Sequence, residues 1–150
     1  MNLSIPHKSK SKAKNTILFV CVENAARSQM AEAFFRKYSP SDSYDAESAG
    51  TKLAYEINPA AIKVMDQIDI DIRKQKPKEL TEDVIKNATK IINMGCLDKN
   101  FCPTLFIPKV VDWGIEDPKG KPIEKVAGIR DEIEQRVKEL ISGLNRHDKE

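Results

Sequence analysis

The feature that most restricts the fold of this sequence is a continuous apolar run, TILFVC, at residues 16–21. β-Branched and aromatic residues without polar alternation predict a strand that is buried on both faces, as in the centre of a parallel sheet. Residues 28–38 then repeat apolar side chains at helical spacing, and Ser28 and Gln29 are suited to cap the start of that helix. A buried strand that leads directly into an amphipathic helix indicates an α/β fold.

Later segments continue the alternation of strands and helices. Asn58 is a good capping residue and Pro59 fits the first helical position, so a helix begins there. Together the segments predict a small doubly wound α/β sheet of about four parallel strands with helices on both faces, and such sheets bind ligands at the carboxyl ends of their strands. We predict further strands over residues 43–48, 90–94 and 109–112, and helices over about 59–67 and 123–144.

Length and charge define the domain organisation and exclude several classes of protein. The 150 residues fit a single domain, which we assign to residues 16–144, between a disordered basic tail at 1–15 and a C-terminal tail at 145–150. The net charge of the chain is +2. The first tail holds four lysines and no acid, so the net charge of the remaining residues is −2. A slightly acidic body argues against nucleic-acid binding, and no apolar run approaches the ~18 residues of a membrane span.

Cysteine usage points to a reducing compartment. The sequence has three cysteines, an odd number, and its first residues lack the apolar segment of a secretory signal. We therefore expect a cytoplasmic protein. We also expect it to be a monomer, and to bind neither membranes nor nucleic acid.

The loop after the first strand has the spacing Cys-x5-Arg-Ser. Five residues between Cys21 and Arg27 can curl so that successive N–H groups, with the positive helix end, surround a tetrahedral oxyanion. Arg27 can bind two of its oxygens, the positive field lowers the pKa of the Cys21 thiol, and Ser28 can donate a hydrogen bond to the thiolate. The alternative interpretation is that Cys21 is an inert buried thiol and Arg27 is a surface residue. The residues predicted to catalyse or to bind substrate here are Cys21, Val22, Glu23, Asn24, Ala25, Ala26, Arg27 and Ser28.

The motifs CVENAARSQMAEAF, SAGT, NPAAIKVM and DWGIEDPKG resemble those of the low-molecular-weight protein tyrosine phosphatase superfamily, and more closely its arsenate reductase branch. The resemblance runs from about residue 16 to residue 144. It implies that Cys21 is the nucleophile, Arg27 binds the oxyanion and Asp117 is the general acid. On its own, Asp117-Pro118 fits a turn as well as an acid that a water-excluding loop keeps protonated. The nearby Asp112 and Glu116 are expected to be solvated or capping groups.

The resemblance also favours a small inorganic substrate. Phosphatases of the superfamily typically continue Arg-Ser-Pro and place tyrosines after Asp-Pro, whereas here Gln29 follows Ser28 and Lys119 follows Pro118. An aromatic substrate would therefore lack a stacking wall. Arsenate is the expected oxyanion, and a phosphate ester is the alternative.

The other two cysteines, Cys96 and Cys102, follow the predicted strand at 90–94 and should emerge at the edge that carries Cys21. The resemblance to thioredoxin-coupled reductases implies that Cys21 bonds arsenic, Cys96 attacks Cys21, and Cys102 closes a Cys96–Cys102 disulfide for thioredoxin to reduce. A small thiol is the alternative reductant. Six helical residues rise ~9 Å, more than the ~7 Å between disulfide-linked Cα atoms, so residues 95–103 should be irregular or refold on oxidation.

Metal binding and two further functions are the remaining alternatives. Cys96 and Cys102 lack zinc-ligand spacing, and His7 and His147 lie in the predicted tails, so we expect no metal and no cofactor. The resemblance implies that Asn24 stabilises the loop. Asn24 and Glu32 also match positions that help to hold a monovalent cation in some family members, and whether this chain binds one is left open. The first functional hypothesis is arsenate reduction. The second is a low-molecular-weight phosphatase, and the third is a redox or oxyanion-sensing module without turnover.

Overall fold

The structure, a computed structural model, describes residues 15–39, 42–95 and 109–149, with side chains to residue 144. Its sheet has four parallel strands in the order β2-β1-β3-β4, which confirms the predicted parallel α/β sheet. Residues 17–20 of the central strand are fully buried, as the apolar run predicts. The strands are β1 (Asn15–Cys21), β2 (Tyr44–Gly50), β3 (Lys90–Asn93) and β4 (Val110–Asp112).

Helices cover both faces of the sheet. Ile17 and Phe19 point into the larger core, which three helices cover, whereas Leu18 and Val20 point to the smaller core on the opposite face. Ile85 of a short helix packs into that smaller core. The architecture is therefore the predicted doubly wound one. The helices are α1 (Arg27–Tyr38), α2 (Pro59–Asp66), α3 (Glu82–Asn87) and α4 (Ile123–Lys149).

Helix starts are partly as predicted. Asn58 caps α2, since its side chain accepts a 2.8 Å hydrogen bond from the Ala60 amide. The prediction that Ser28 and Gln29 cap α1 is wrong: the N-cap is Ala26, which makes no side-chain capping bond, and both polar residues lie inside the helix. Their side chains bond to the preceding loop instead.

Several element boundaries also differ from the predictions. Asn15, assigned to the tail, begins β1 and pairs with Tyr44, and α4 continues to Lys149 instead of ending near residue 144. Residues 1–14 and 96–108, including Cys96 and Cys102, lie outside the described residues. None of the helices in the described segments has the length and apolar character needed to cross a membrane.

Parallel pairing brings four chain segments to one edge. β1 and β2 are in register to their ends, with Cys21 opposite Gly50, and Asn93 of β3 lies opposite both Val20 and Asp112. The segments that follow Cys21, Gly50, Asn93 and Asp112 therefore emerge side by side. This edge carries the candidate site.

Candidate active site

The loop between β1 and α1 is held by its carbonyl groups. Each carbonyl from residue 22 to residue 26 accepts a hydrogen bond from outside the loop or from α1, at 2.9–3.1 Å. In a trans peptide the N–H points away from the C=O, so the N–H groups of residues 23–27 face the opposite side, toward the concave interior. A loop that surrounds an anion needs successive N–H groups on one side in this way. The donors are the amides of Lys52, Ala54, Asn58 and Met30 and the side chain of Gln29.

Asn24 fixes the loop from behind. It is fully buried and adopts a left-handed backbone with φ of 53°, which asparagine tolerates better than most residues. Its Oδ1 accepts from the Lys78 amide at 2.7 Å and from Gln29 Nε2 at 3.0 Å. Its Nδ2 donates to Ser28 Oγ at 2.7 Å. These are the contacts expected of a residue that stabilises the loop, and they do not face the ligand side.

Gly50 of the SAGT motif lets the loop approach β2. A Cβ atom at Gly50 would lie 2.6 Å from the Val22 carbonyl oxygen and 3.0 Å from the Asn24 amide nitrogen. Cβ atoms in proteins essentially never come that close to other heavy atoms. The glycine is therefore required by close backbone packing against the loop between β1 and α1.

Cys21 lies at the floor of the loop, with 3% of its surface exposed. Its Sγ is 2.9 Å from Ser28 Oγ. Because Asn24 already donates to that oxygen, the Ser28 hydroxyl hydrogen is available to point at the sulfur. A hydrogen bond and the N-terminal end of α1 both favour a thiolate at this position.

Arg27 is directed into the site by the segment after β4. Its Nη1 donates to the Ile115 carbonyl at 2.9 Å, and its Nη2 lies 3.8 Å from Asp117 Oδ1. The guanidinium is buried, but the Asp117 side chain is 59% exposed. Asp117 Oδ1 also accepts from the Lys119 amide at 3.0 Å, so the carboxylate forms a turn as well as facing Arg27. Water reaches this carboxyl, contrary to the expected water-excluding environment.

The cleft has a volume of about 570 Å³ and brings most predicted residues together. Among the described residues, Asn24 and Ser28 belong to the predicted loop but lie behind the cleft wall. Gly95, the residue before Cys96, also lines it and lies against Gly114, since a Cβ there would meet the Gly114 Cα at 2.7 Å. The predicted residues that line the cleft are Cys21, Val22, Glu23, Ala25, Ala26, Arg27 and Asp117.

Sequence reasoning missed an ion pair across the cleft. Lys119 Nζ lies 2.9 Å from Glu23 Oε2, and both residues line the cleft. The hydrogen bond to Glu23 raises the pKa of Lys119. The two residues are 96 positions apart, so only the proximity of Lys119 to the Asp-Pro motif could have suggested a role for it.

Of the two neighbouring acids, Asp112 forms a turn as predicted, whereas Glu116 is exposed, as expected of a solvated group, but also lines the cleft and forms two ion pairs. Glu116 pairs with Lys125 and Lys121 at 3.2 and 3.5 Å, and the hydrogen bond from Lys125 lowers the pKa of Glu116. Asp112 accepts a 3.1 Å hydrogen bond from the Gly114 amide in a turn. Neither carboxylate is directed at Cys21 by these contacts.

Glu32, the other position that could help hold a monovalent cation, is buried behind the loop. Its carboxylate pairs with Arg36, accepts from Ser48 Oγ at 2.5 Å, and lies 3.4 Å from Lys78 Nζ. The ammonium of Lys78 also lies 3.3 Å from Ser48 Oγ. Positive charge beside Glu32 is thus supplied by side chains of the chain itself. In the described segments, no three His, Cys, Asp or Glu side chains are grouped as a metal site requires.

Comparison with known proteins places this site in a family context. The sequence profile of the low molecular weight phosphotyrosine protein phosphatase family matches residues 16–150. A protein named arsenate reductase from Bacillus cereus strain 03BB102 is 38% identical over 127 residues, which cover 83% of this chain and 92% of that protein.

Solved structures agree with the sequence matches. The thioredoxin-dependent arsenate reductase of Corynebacterium glutamicum superposes with a TM-score of 0.75 at 32% identity, over 96% of this chain and 68% of that one. The YwlE arginine phosphatase of Geobacillus stearothermophilus superposes with a TM-score of 0.77 at 29% identity, over 89% and 94% of the two chains. Proteins with both kinds of name therefore share this fold.

Proposed function

Because this chain belongs to the low molecular weight phosphotyrosine protein phosphatase family, we propose that it uses the family's type of cysteine chemistry to reduce arsenate to arsenite, with thioredoxin as the final reductant. Two relatives support this choice of substrate, the arsenate reductase of Bacillus cereus and the thioredoxin-dependent enzyme of Corynebacterium glutamicum. The observation that carries the proposal is the convergence of Cys21, Arg27 and Asp117 on one cleft, where Arg27 Nη2 lies 3.8 Å from Asp117 Oδ1.

Arsenate binding is the first step. A tetrahedral oxyanion in the loop accepts hydrogen bonds from the N–H groups of residues 23–27 and lies at the positive end of α1. Arg27, held by the Ile115 carbonyl through one nitrogen, can turn its remaining N–H groups to two oxygens of the anion. The anion then lies above Cys21.

The second step joins sulfur to arsenic. The Cys21 thiolate attacks arsenic, an S–As bond forms, and one As–O bond breaks. Asp117 donates a proton to the departing hydroxide, which leaves as water. Ser28, 2.9 Å from the sulfur, holds the thiolate by a hydrogen bond before the attack.

The third step reduces arsenic. A thiolate at Cys96 attacks the sulfur of Cys21, the S–As bond breaks, and its electron pair remains on arsenic, which leaves as arsenite with As(III). The two cysteines are oxidised to a disulfide. Cys102 then attacks Cys96 and frees Cys21, and the dithiol of thioredoxin reduces the Cys96–Cys102 disulfide. A reducing cytoplasm is the compartment in which this cycle runs.

A phosphatase is the second candidate, and a specific observation favours it. Hydrolysis of a phosphocysteine needs water at the adduct and a carboxylate to activate that water. The 59% exposed Asp117, on the rim of an open cleft, allows water to enter. In that reaction Cys96 and Cys102 have no role.

One set of assays separates the candidates. The purified protein is incubated with arsenate and either thioredoxin, its reductase and NADPH, or a small thiol, and arsenite release is measured. In parallel, hydrolysis of p-nitrophenyl phosphate is measured in the wild type, Cys96→Ser and Cys102→Ser. Arsenite release coupled to thioredoxin oxidation, abolished by both substitutions, supports the proposal. Ester hydrolysis that both substitutions leave unchanged, without arsenite release, identifies a phosphatase, and phosphate binding without any product identifies a sensing module.

A further inference from the structure

The Glu23–Lys119 ion pair joins the two walls of the cleft at its rim. Glu23 belongs to the loop after Cys21, and Lys119 belongs to the turn that begins at Asp117. The side chains of Glu23 and Lys119 are 40% and 67% exposed, whereas the Cys21 thiol below them is 3% exposed. The pair therefore lies at the solvent boundary of a cleft whose reactive atom lies at the floor.

The backbone of each member of the pair makes a hydrogen bond of its own. The Glu23 carbonyl accepts a 3.1 Å hydrogen bond from the Ala54 amide, and the Lys119 amide donates to Asp117 Oδ1 at 3.0 Å. The two side chains meet across the rim at an Nζ to Oε2 distance of 2.9 Å.

Position at the rim affects two kinds of ligand differently. A free inorganic oxyanion is contained within the loop, beneath the pair. An ester that places its phosphorus above Cys21 must extend its organic group through the rim, where the pair joins the walls. We propose that the Glu23–Lys119 pair is a specificity-determining clasp, which disfavours esters with a large organic group relative to inorganic oxyanions. This inference rests on the proposed use of the cleft as an oxyanion site.

The clasp shifts the preference between inorganic oxyanions and esters, and it does not exclude esters from the cleft. Exposed ion pairs contribute little free energy, so breaking the Glu23–Lys119 pair costs little. We expect its loss to change the preference between ester and inorganic anion by about two- to fivefold, equivalent to about 0.4–1 kcal/mol at 1.4 kcal/mol per factor of ten.

Two substitutions with opposite charge effects test the clasp. Lys119→Ala removes a positive charge and Glu23→Ala removes a negative one, and each removes one partner of the 2.9 Å contact. The readout is protection of Cys21 from iodoacetamide, followed by peptide mass, with inorganic phosphate and phenyl phosphate as the protecting ligands. The ratio of their half-protection concentrations cancels general effects on anion affinity. Lys138→Ala is the matched control, since it removes the same charge and an ion pair to Glu134 at 3.8 Å, and neither of these residues lines the cleft.

We expect the ratio to shift two- to fivefold toward phenyl phosphate in both variants and to stay unchanged in the control. The double variant should shift no further than either single one, because the clasp opens only once. Shifts of opposite sign in the two variants would show a simple charge effect and overturn the clasp, as would no shift. If phosphate does not protect Cys21 in the wild type, the proposed oxyanion site itself fails. If phosphate protects Cys21 but arsenate is not reduced, the proposed function fails while the clasp is still tested.

Discussion

Replacing Gly50 by alanine should displace the loop between β1 and α1, although the substitution lies on the neighbouring strand β2. The new Cβ would lie 2.6 Å from the Val22 carbonyl oxygen, whereas ordinary contacts begin near 3.4 Å, so the loop must retreat by about 0.8 Å. That oxygen also accepts a 2.9 Å hydrogen bond from the Lys52 amide, which the retreat would distort. Overpacking of this kind costs about 1–3 kcal/mol. In a protein of this size each kcal/mol lowers the melting temperature by roughly 2–4 °C.

The effect on ligand binding should be larger than the effect on folding alone would suggest. A misplacement of ~1 Å in a positioned site can cost ~10²-fold in rate. We expect Gly50→Ala to weaken protection of Cys21 by phosphate at least about tenfold, and to lower arsenate turnover by a similar factor or more, in protein that is still folded at 25 °C. Thermal unfolding by circular dichroism, the alkylation assay and arsenite release measure the three quantities.

Gly128→Ala is the matched control. Gly128 lies in α4, and a Cβ there meets no atom within 4 Å, so alanine should stabilise the helix by about 1 kcal/mol and leave ligand binding unchanged. If Gly50→Ala melted at or above the wild-type temperature and bound phosphate normally, the argument from close packing would be refuted.

Three further predictions concern the chemistry. Cys21→Ser should abolish turnover in a folded protein, and alkylation of wild-type Cys21 should follow a pKa below the ordinary ~8.5; an ordinary value with an active serine variant would contradict its role. Arg27→Lys should lower both phosphate affinity and rate because a point charge replaces a planar fork, whereas Asp117→Asn should mainly lower kcat, and an unchanged rate of a limiting chemical step would leave Asp117 as a turn residue only. Cys102→Ser with arsenate should trap a Cys21–Cys96 disulfide, visible by intact mass after alkylation, while Cys96→Ser should stop at the arsenic adduct; thioredoxin-dependent cycling of both variants at the wild-type rate would exclude the relay.

Local patterns predicted the elements whose signal is strong. The apolar run at β1 is long and uninterrupted, and burial on both faces follows from it. Helix α3 escaped prediction because it is six residues long and buries only Ile85, too little to show a helical period. The sequence predicts Ser28 and Gln29 as capping residues because polar side chains at a helix start often bond to its free N–H groups. In the structure, the side chains of Ser28 and Gln29 instead form hydrogen bonds with the side chain of Asn24 in the preceding loop.

The site was predictable where it is contiguous in sequence and less so where it is assembled from distant segments. The short spacing of Cys-x5-Arg-Ser predicts that Cys21 and Arg27 lie close together, and both line the same cleft. The exposure of Asp117 and the contact of Arg27 with the Ile115 carbonyl depend on how residues 113–119 return to the sheet edge, 88 positions from the arginine. The pairing of Glu23 with Lys119 depends on the same long-range placement.

The hydrogen bonds of the loop carbonyls fix the loop backbone, so the oxyanion site that we propose there is preorganised. Folding has already fixed the conformational entropy of these residues, so an anion that binds there orders little of the chain. A ligand that binds only the native state also stabilises it, by about 2.7 kcal/mol when its concentration is a hundred times its Kd. The melting temperature of this protein should therefore depend on the buffer, and a phosphate buffer should protect it against unfolding in a way that a buffer without tetrahedral anions cannot.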